Sequence, residues 1–268
     1  MAVWPGDRSG LCRWMTNSSR TRRWPTTRRC SRSTRCSAAY FVRASYGREA
    51  ERLVELLGVI GMSRVAVAHL DNPGGKEVLA SVRAAMQAKS AGADVVAFAA
   101  VKNDGSNAAE AGKTLAAAKP QAVIMFLAGP PTVELIKTMT ADGSAPSFYG
   151  LSSVAKALGD KMPSLSVAQV VHYPWGEADS VAHSFRDQCA AAKAVVSYAA
   201  FEGWVNAHAM MEGLRRSGAN PTRESLHAAM RSMKARVAGL ELDYTGNSST
   251  GSRFVELVHV RPNGTYLR

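Results

Sequence analysis

RVAVAHLDNPGGKEVLASVRAAMQAKSAGADVVAFAA, residues 64–100, opens on a nearly continuous apolar run of strand length, Arg64–His69. The turn formers Asp71, Asn72, Pro73 and Gly74 follow, then a helix expected from about Gly75 to Ala91 and a second strand at Asp94–Ala100. A strand that is apolar at successive positions is buried on both faces, and a strand–helix–strand unit of this size joins parallel neighbours by a right-handed crossover. The stretch therefore predicts one unit of a parallel sheet with helices packed against it.

The alternation extends in both directions. Upstream, residues 48–60 place Ala50, Leu53, Val54, Leu57 and Val59 mostly on one helical face. Downstream, a helix at Ser106–Ala118, a strand at Ala122–Ala128, a helix at Thr132–Asp142 and a strand-like Ser147–Gly150 continue it, followed by a short helix near Ser153–Leu158 and a strand at Ser166–His172. Helices are then expected near Ala178–Ala191, Tyr198–Ser217 and Thr222–Met233, the last opened by Thr222 after Pro221. A terminal hairpin pairs Arg253–Val260 with the chain end through Pro262, Asn263 and Gly264. The fold class is α/β, a doubly wound parallel sheet.

Charge is unevenly placed. Of the formal +12, residues 1–40 supply nine arginines against the single acid Asp7, so the body from Phe41 onward is only mildly basic. That body shows no stripe for phosphates, which argues against nucleic acid as a partner. The leader is rich in Arg, Ser and Thr, holds Trp4, Trp14 and Trp24, has no period of 2 or 3.6, and reads as disordered. An organelle-targeting peptide, a nucleic-acid arm, or an extension from a misassigned start or shifted frame would each fit it. The abrupt change near Phe41 favours the last. Arginine interrupts every apolar stretch there, so no secretory signal core is recognisable, and nowhere does an apolar run reach the roughly 18 residues of a membrane span. Cys12, Cys30 and Cys36 have unlike spacings and no histidine pair, and Cys189 stands by itself in the body, so neither a zinc site nor an internal disulfide of the body is expected.

Catalytic chemistry finds little support. The six histidines have no metal spacing, and His69 near Asp71 is expected to be a satisfied polar pair rather than an acid/base dyad. No nucleophile elbow or Walker loop occurs. GPPT at Gly129–Thr132 occupies the position of a phosphate cradle, after a strand and before a helix, but lacks a lysine, and turn geometry accounts for it.

The order of elements and several strings resemble the leucine/isoleucine/valine-binding family of periplasmic (type I solute-binding) receptors of ABC transporters. The residues that carry the resemblance are RASY at Arg43–Tyr46, RVAVAHLDNPGGKE at Arg64–Glu77, KPQAVIMFLAGPP at Lys119–Pro131 and HYPW at His172–Trp175. EGWVNAHAMMEGLRRSGANPTRESLHAAM at Glu202–Met230 and GSRFVELVHVRPNG at Gly251–Gly264 complete it. It covers about residues 41–268.

The resemblance implies a type I periplasmic-binding-protein fold with one complete lobe, about residues 47–192 plus 250–268, and an incomplete partner lobe. Family members carry about a hundred further residues ahead of this region, so the chain is expected to be a truncated form. Helices within about 197–234 would then be orphaned, with Phe201, Trp204, Val205, Met210, Met211 and Leu214 forming an exposed apolar face open to self-association. The function implied is the substrate-binding component of a branched-chain-amino-acid-type ABC transporter, non-enzymatic and periplasmic, with the transporter permease as partner. A cytoplasmic ligand-sensing module on the same fold is the alternative. Ligand-binding residues are expected in the loops at the carboxyl ends of the strands: Asn72 and Pro73, Ala128 and Gly129, Ser152 and Ser153. No catalytic residue, metal or cofactor is expected. Pro73, Ala128 and Ser152 stand where the branched-chain receptors place aromatic and acidic contacts. Without an acid at 152 the counter-ion for an α-ammonium is missing, which favours a small carboxylate, amide or aromatic acid.

Overall fold

The computed structural model describes residues 39–90, 93–153, 165–246, 248–261 and 265–268. The expected short helix at 153–158 lies almost wholly outside these residues. So do the turn at 262–264 and all but the last residues of the Arg-rich leader.

The first strand–helix–strand unit forms as its sequence dictates. β1 (Val65–Leu70) leads into α2 (Pro73–Lys89), whose Asn72 cap accepts from Gly75 N at 2.8 Å, and β2 (Ala97–Val101) returns parallel to β1. α1 (Tyr46–Val59) precedes it, capped by Ser45. Beyond lie α3 (Ala108–Ala117), β3 (Ala122–Phe126), α4 (Pro130–Thr140), β4 (Ser147–Gly150) and β5 (Leu165–Gln169). Strand order is β2-β1-β3-β4-β5, all parallel. α5 (Ser180–Ala191), α6 (Tyr198–Arg216) and α7 (Arg223–Arg231) follow. β8 (Glu256–Val260) then adds antiparallel to β5, and β9 (Tyr266–Leu267) to β8.

Alternation along the strands divides the core between two faces. Val65 and Val67 of β1 with Ala122, Ile124 and Phe126 of β3 pack under α1 and α2, whereas Ala66, Ala68, Val123 and Met125 pack on the other face with α3 and α4. Helices on both faces of a mainly parallel sheet are the doubly wound arrangement the sequence predicts. Each fully buried leucine such as Leu53, Leu57 or Leu115 contributes about 1.5–3 kcal/mol. Val59, expected on the buried face of α1, is 81% exposed because it falls in the helix's last turn, beyond the sheet.

Three expectations need correction. A two-stranded sheet, β6 (Lys234–Val237) with β7 (Leu240–Asp243), follows α7 where no strand was expected. Its two-residue loop carries φ of 47° at Ala238 and 85° at Gly239, the doubly positive geometry that matches strand twist. Second, the apolar face of α6 is largely covered from within the chain. Phe201 and Val205 are buried, with Phe201 4.8 Å from Phe185 of α5, and Ala209 joins Met233, Leu242 and Tyr244 in one cluster. Of the expected stripe, Met211 and Leu214 remain exposed. Third, His69 Nδ1 donates to the Leu70 carbonyl at 2.9 Å rather than pairing with Asp71, whose carboxylate faces Lys76 at 3.8 Å.

At the far end of the sheet, Glu256 pairs across strands with Gln169, and its carboxylate lies 3.4 Å from Arg268. Burial pushes that carboxyl from its ordinary 4.5 up to about 7, against the pull of Arg268 and with help from Asp179. The folded chain thus holds a proton there that the unfolded chain releases, so this group's contribution to stability is lost as pH rises from about 4.5 to about 7. Glu256→Gln should remove that slope and exceed the parent in stability at pH 8, as read by urea unfolding across pH. Gly75→Ala tests the β1–α2 turn: a methyl there would lie 1.9 Å from the Leu70 carbonyl oxygen. It should lower the urea midpoint by the equivalent of about 2–4 kcal/mol.

Candidate functional site

In a sheet ordered β2-β1-β3-β4-β5, the direction of winding reverses between β1 and β3. The helices that leave these two strands depart to opposite faces, α2 with the Val78–Val82 cluster and α4 with the Leu135–Met139 cluster. In doubly wound sheets this reversal is where ligands bind, beyond the strands' carboxyl ends. The six expected binding residues gather at this end. Asn72 and Pro73 begin α2, Ala128 and Gly129 lead into α4, and Ser152 and Ser153 follow β4.

Their roles differ from expectation. Asn72 is a helix cap whose Nδ2 also donates to Asn103 Oδ1 at 3.3 Å. Gly129 takes φ 68°, which only glycine adopts without strain, and it starts α4 with Pro130 and Pro131 behind it. Two prolines carry no N–H, so α4 cannot present the donors a phosphate cradle requires. Ala128 is exposed and Ser153 half-buried. Ser152 is buried, and its polar atoms turn inward rather than toward a ligand.

What holds Ser152 is an ionic cluster absent from the expected set. Glu49 of α1, with no exposed surface, accepts from Ser152 N at 2.7 Å and from Ser152 Oγ at 3.0 Å. Arg43 Nη2 donates to Glu49 Oε1 at 2.5 Å and also to Ser152 Oγ, while Nη1 lies 3.6 Å from Glu202 of α6. Burial pushes the Glu49 carboxyl upward, and Arg43 with the two Ser152 bonds pulls against it. For Arg43, burial works against the charge, and Glu49 and Glu202 more than offset it, so the guanidinium is held above its ordinary value. An acid does therefore stand beside position 152, supplied by α1, but both its oxygens are already engaged.

Aromatic groups complete the surface. The Tyr46 ring leans on Phe126 with centroids 4.8 Å apart, and the Arg43 guanidinium lies 4.7 Å from the Tyr46 centroid. Two hollows lie elsewhere. One of about 290 Å³ sits beside α6 at His208, Met211 and Arg236, and one of about 220 Å³ at the opposite sheet end between Val54, Met62 and Met86. Among the described residues no group of three or more His, Cys, Asp or Glu could hold a metal ion.

A family profile described as periplasmic binding protein matches residues 25–265. Among solved structures, a substrate-binding periplasmic protein from Ralstonia solanacearum is similar at 29% identity and TM-score 0.72, over 85% of this chain and 67% of that one. A possible leucine/isoleucine/valine-binding protein from Rhodopirellula baltica SH 1 shares the fold at 19% identity and TM-score 0.70, over 85% and 65% of the two chains. A branched-chain amino acid ABC transporter protein from Thermus thermophilus with bound valine shares it at 18% and 0.68, again over 85% and 65%. The chain thus spans about two thirds of the length of these structures. Among curated proteins none matches.

Arg43→Met should strip Glu49 of its buried partner and cost about 3–5 kcal/mol in chemical unfolding. Ser152→Ala, which removes one bond to Glu49, should cost about 1–2 kcal/mol. The double variant Arg43→Met with Glu49→Gln should lose less than the two single losses combined.

Proposed function

We propose that this chain, which belongs to the periplasmic binding protein family, is the substrate-binding component of a branched-chain-amino-acid-type ABC transporter. It receives a small carboxylate, amide or amino-acid-like solute beyond the carboxyl ends of β1, β3 and β4 and presents it to the permease. The observation that supports this reading is the reversal of winding between β1 and β3, the point of a doubly wound sheet beyond whose strand ends ligands bind, with Asn72, Ala128, Gly129 and Ser153 in the loops that follow β1, β3 and β4. The family and the solved relatives are solute binders, and the polar groups at the strand ends are helix caps and an internal ion pair, an arrangement suited to holding a molecule rather than transforming it. The family supports a periplasmic location. No helix among the described residues is long and apolar enough to cross a membrane.

Thermal unfolding of the full chain against branched-chain amino acids, their amides and small carboxylates tests the reading. A solute at a hundred times its Kd adds about 2.7 kcal/mol, enough to raise Tm by several degrees. At least one member should do so, and a panel with no shift at any concentration up to solubility would sink the proposal.

A further inference from the structure

The amino ends of the strands carry a second site, independent of the solute-binding reading. We infer that the hollow between α1, α2 and the start of β1 takes the tail of a straight-chain aliphatic monocarboxylate of about eight carbons, its head on Lys89.

The hollow measures about 220 Å³ and is lined at the start of β1, not at the loop that follows it. Its apolar wall belongs to the core: Val54 and Leu57 of α1, Val65 of β1 and Met86 of α2 are all buried. Space is left because the residues closing it are small. Gly58, Gly61, Ser63 and Ala93 line it where α1 and α2 end, at Val59 and Lys89. An apolar cavity of roughly 150 Å³ holds benzene, so this one accommodates a somewhat longer carbon chain. Met62 and Met86, unbranched and polarizable, adapt to a flexible guest. Val59 and Ile60, between the two lining glycines in the chain, are exposed and extend the apolar surface outward.

The preference for a carboxylate comes from Lys89. Its stem lies across Gly58, where a methyl would stand 3.2 Å from Lys89 Cδ and 2.8 Å from Nζ, so the ammonium sits beside the lining. Nζ donates to the Glu55 carbonyl at 3.1 Å, which uses one of its three donors, and among the described residues it pairs with no carboxylate. The acids that flank the lining residues are already engaged, Glu55 by Arg48 and Arg52 and Asp94 by Arg83. Arg64, between Ser63 and Val65, adds a second positive charge, its guanidinium donating to the carbonyls of Ala118 and Lys119. A head with negative charge and two acceptor oxygens therefore finds free donors, whereas an ammonium head meets cations.

The test is NMR of the full chain carrying carbon-13 methyl methionine, titrated with octanoate, 1-octanol, octylamine and acetate below micelle-forming concentrations. Octanoate should shift the Met62 and Met86 methyls and saturate. 1-Octanol should bind about tenfold more weakly and octylamine more weakly still, while acetate, a head without a tail, should leave both signals in place. Lys89→Leu keeps an apolar stem and drops the charge, so octanoate should fall to the level of 1-octanol. Ala93→Leu, which fills the hollow, should weaken octanoate and 1-octanol alike by about tenfold. Octylamine as tight as octanoate, octanoate unweakened in Lys89→Leu or Ala93→Leu, or shifts spread over the methionines without saturation would each overturn the inference. Silence at Met62 and Met86 would do so too, and the solute-binding reading, which concerns the other end of the strands, would survive any of these results.

Discussion

A carboxylate with no exposed surface has to be answered by charge, and in this chain Arg43 answers Glu49. Removing a carboxylate from water costs several kcal/mol, and the attraction of a guanidinium at 2.5 Å returns enough only if the remaining lone pairs are also satisfied. Ser152 satisfies them with its N–H and its hydroxyl. The requirement fixes three pieces of chain at once: the segment ahead of α1, the first turn of α1, and the loop after β4. Glu202, on the other side of Arg43, draws α6 toward the same point. The mutual placement of these segments is therefore set by an electrostatic obligation rather than by shape alone.

That obligation separates structure from recognition at the strand ends. Of the six residues marked by position as binding residues, Asn72 and Ser152 are occupied in holding helices and loops. Pro73 and Ala128 remain exposed there, and Gly129 and Ser153 are half-buried. An acid beside position 152 does exist, but it is buried in an ion pair. It anchors the charge of Arg43 and holds the loop after β4.

Much of the fold was legible because periodicity reports burial. Val65–Leu70 and Ala122–Phe126 are apolar at every or nearly every position and lie inside on both faces, as such runs must. The β6–β7 hairpin was not legible, since Ala238 stands where a two-residue loop ordinarily shows Asn, Asp or Gly. The cover over Phe201 was missed for a related reason: it depends on Phe185 of another helix, a contact between elements that periodicity does not report. At the site, the loops were found by topology, but Arg43, Glu49 and Glu202 were not. One signal was available. Glu49 stands four residues before Leu53 on the buried stripe of α1, and a charge on an apolar face demands a partner.

The consecutive prolines that open α4 reach beyond their missing donors. Each fixes its own φ near −65°, so the first two residues of α4 have little conformational freedom to surrender. Fixing these two residues on folding costs little backbone entropy, because their φ is already set in the unfolded chain. The corner after β3 thus combines two stiff residues with one permissive one, Gly129, so what freedom it has is concentrated at a single position.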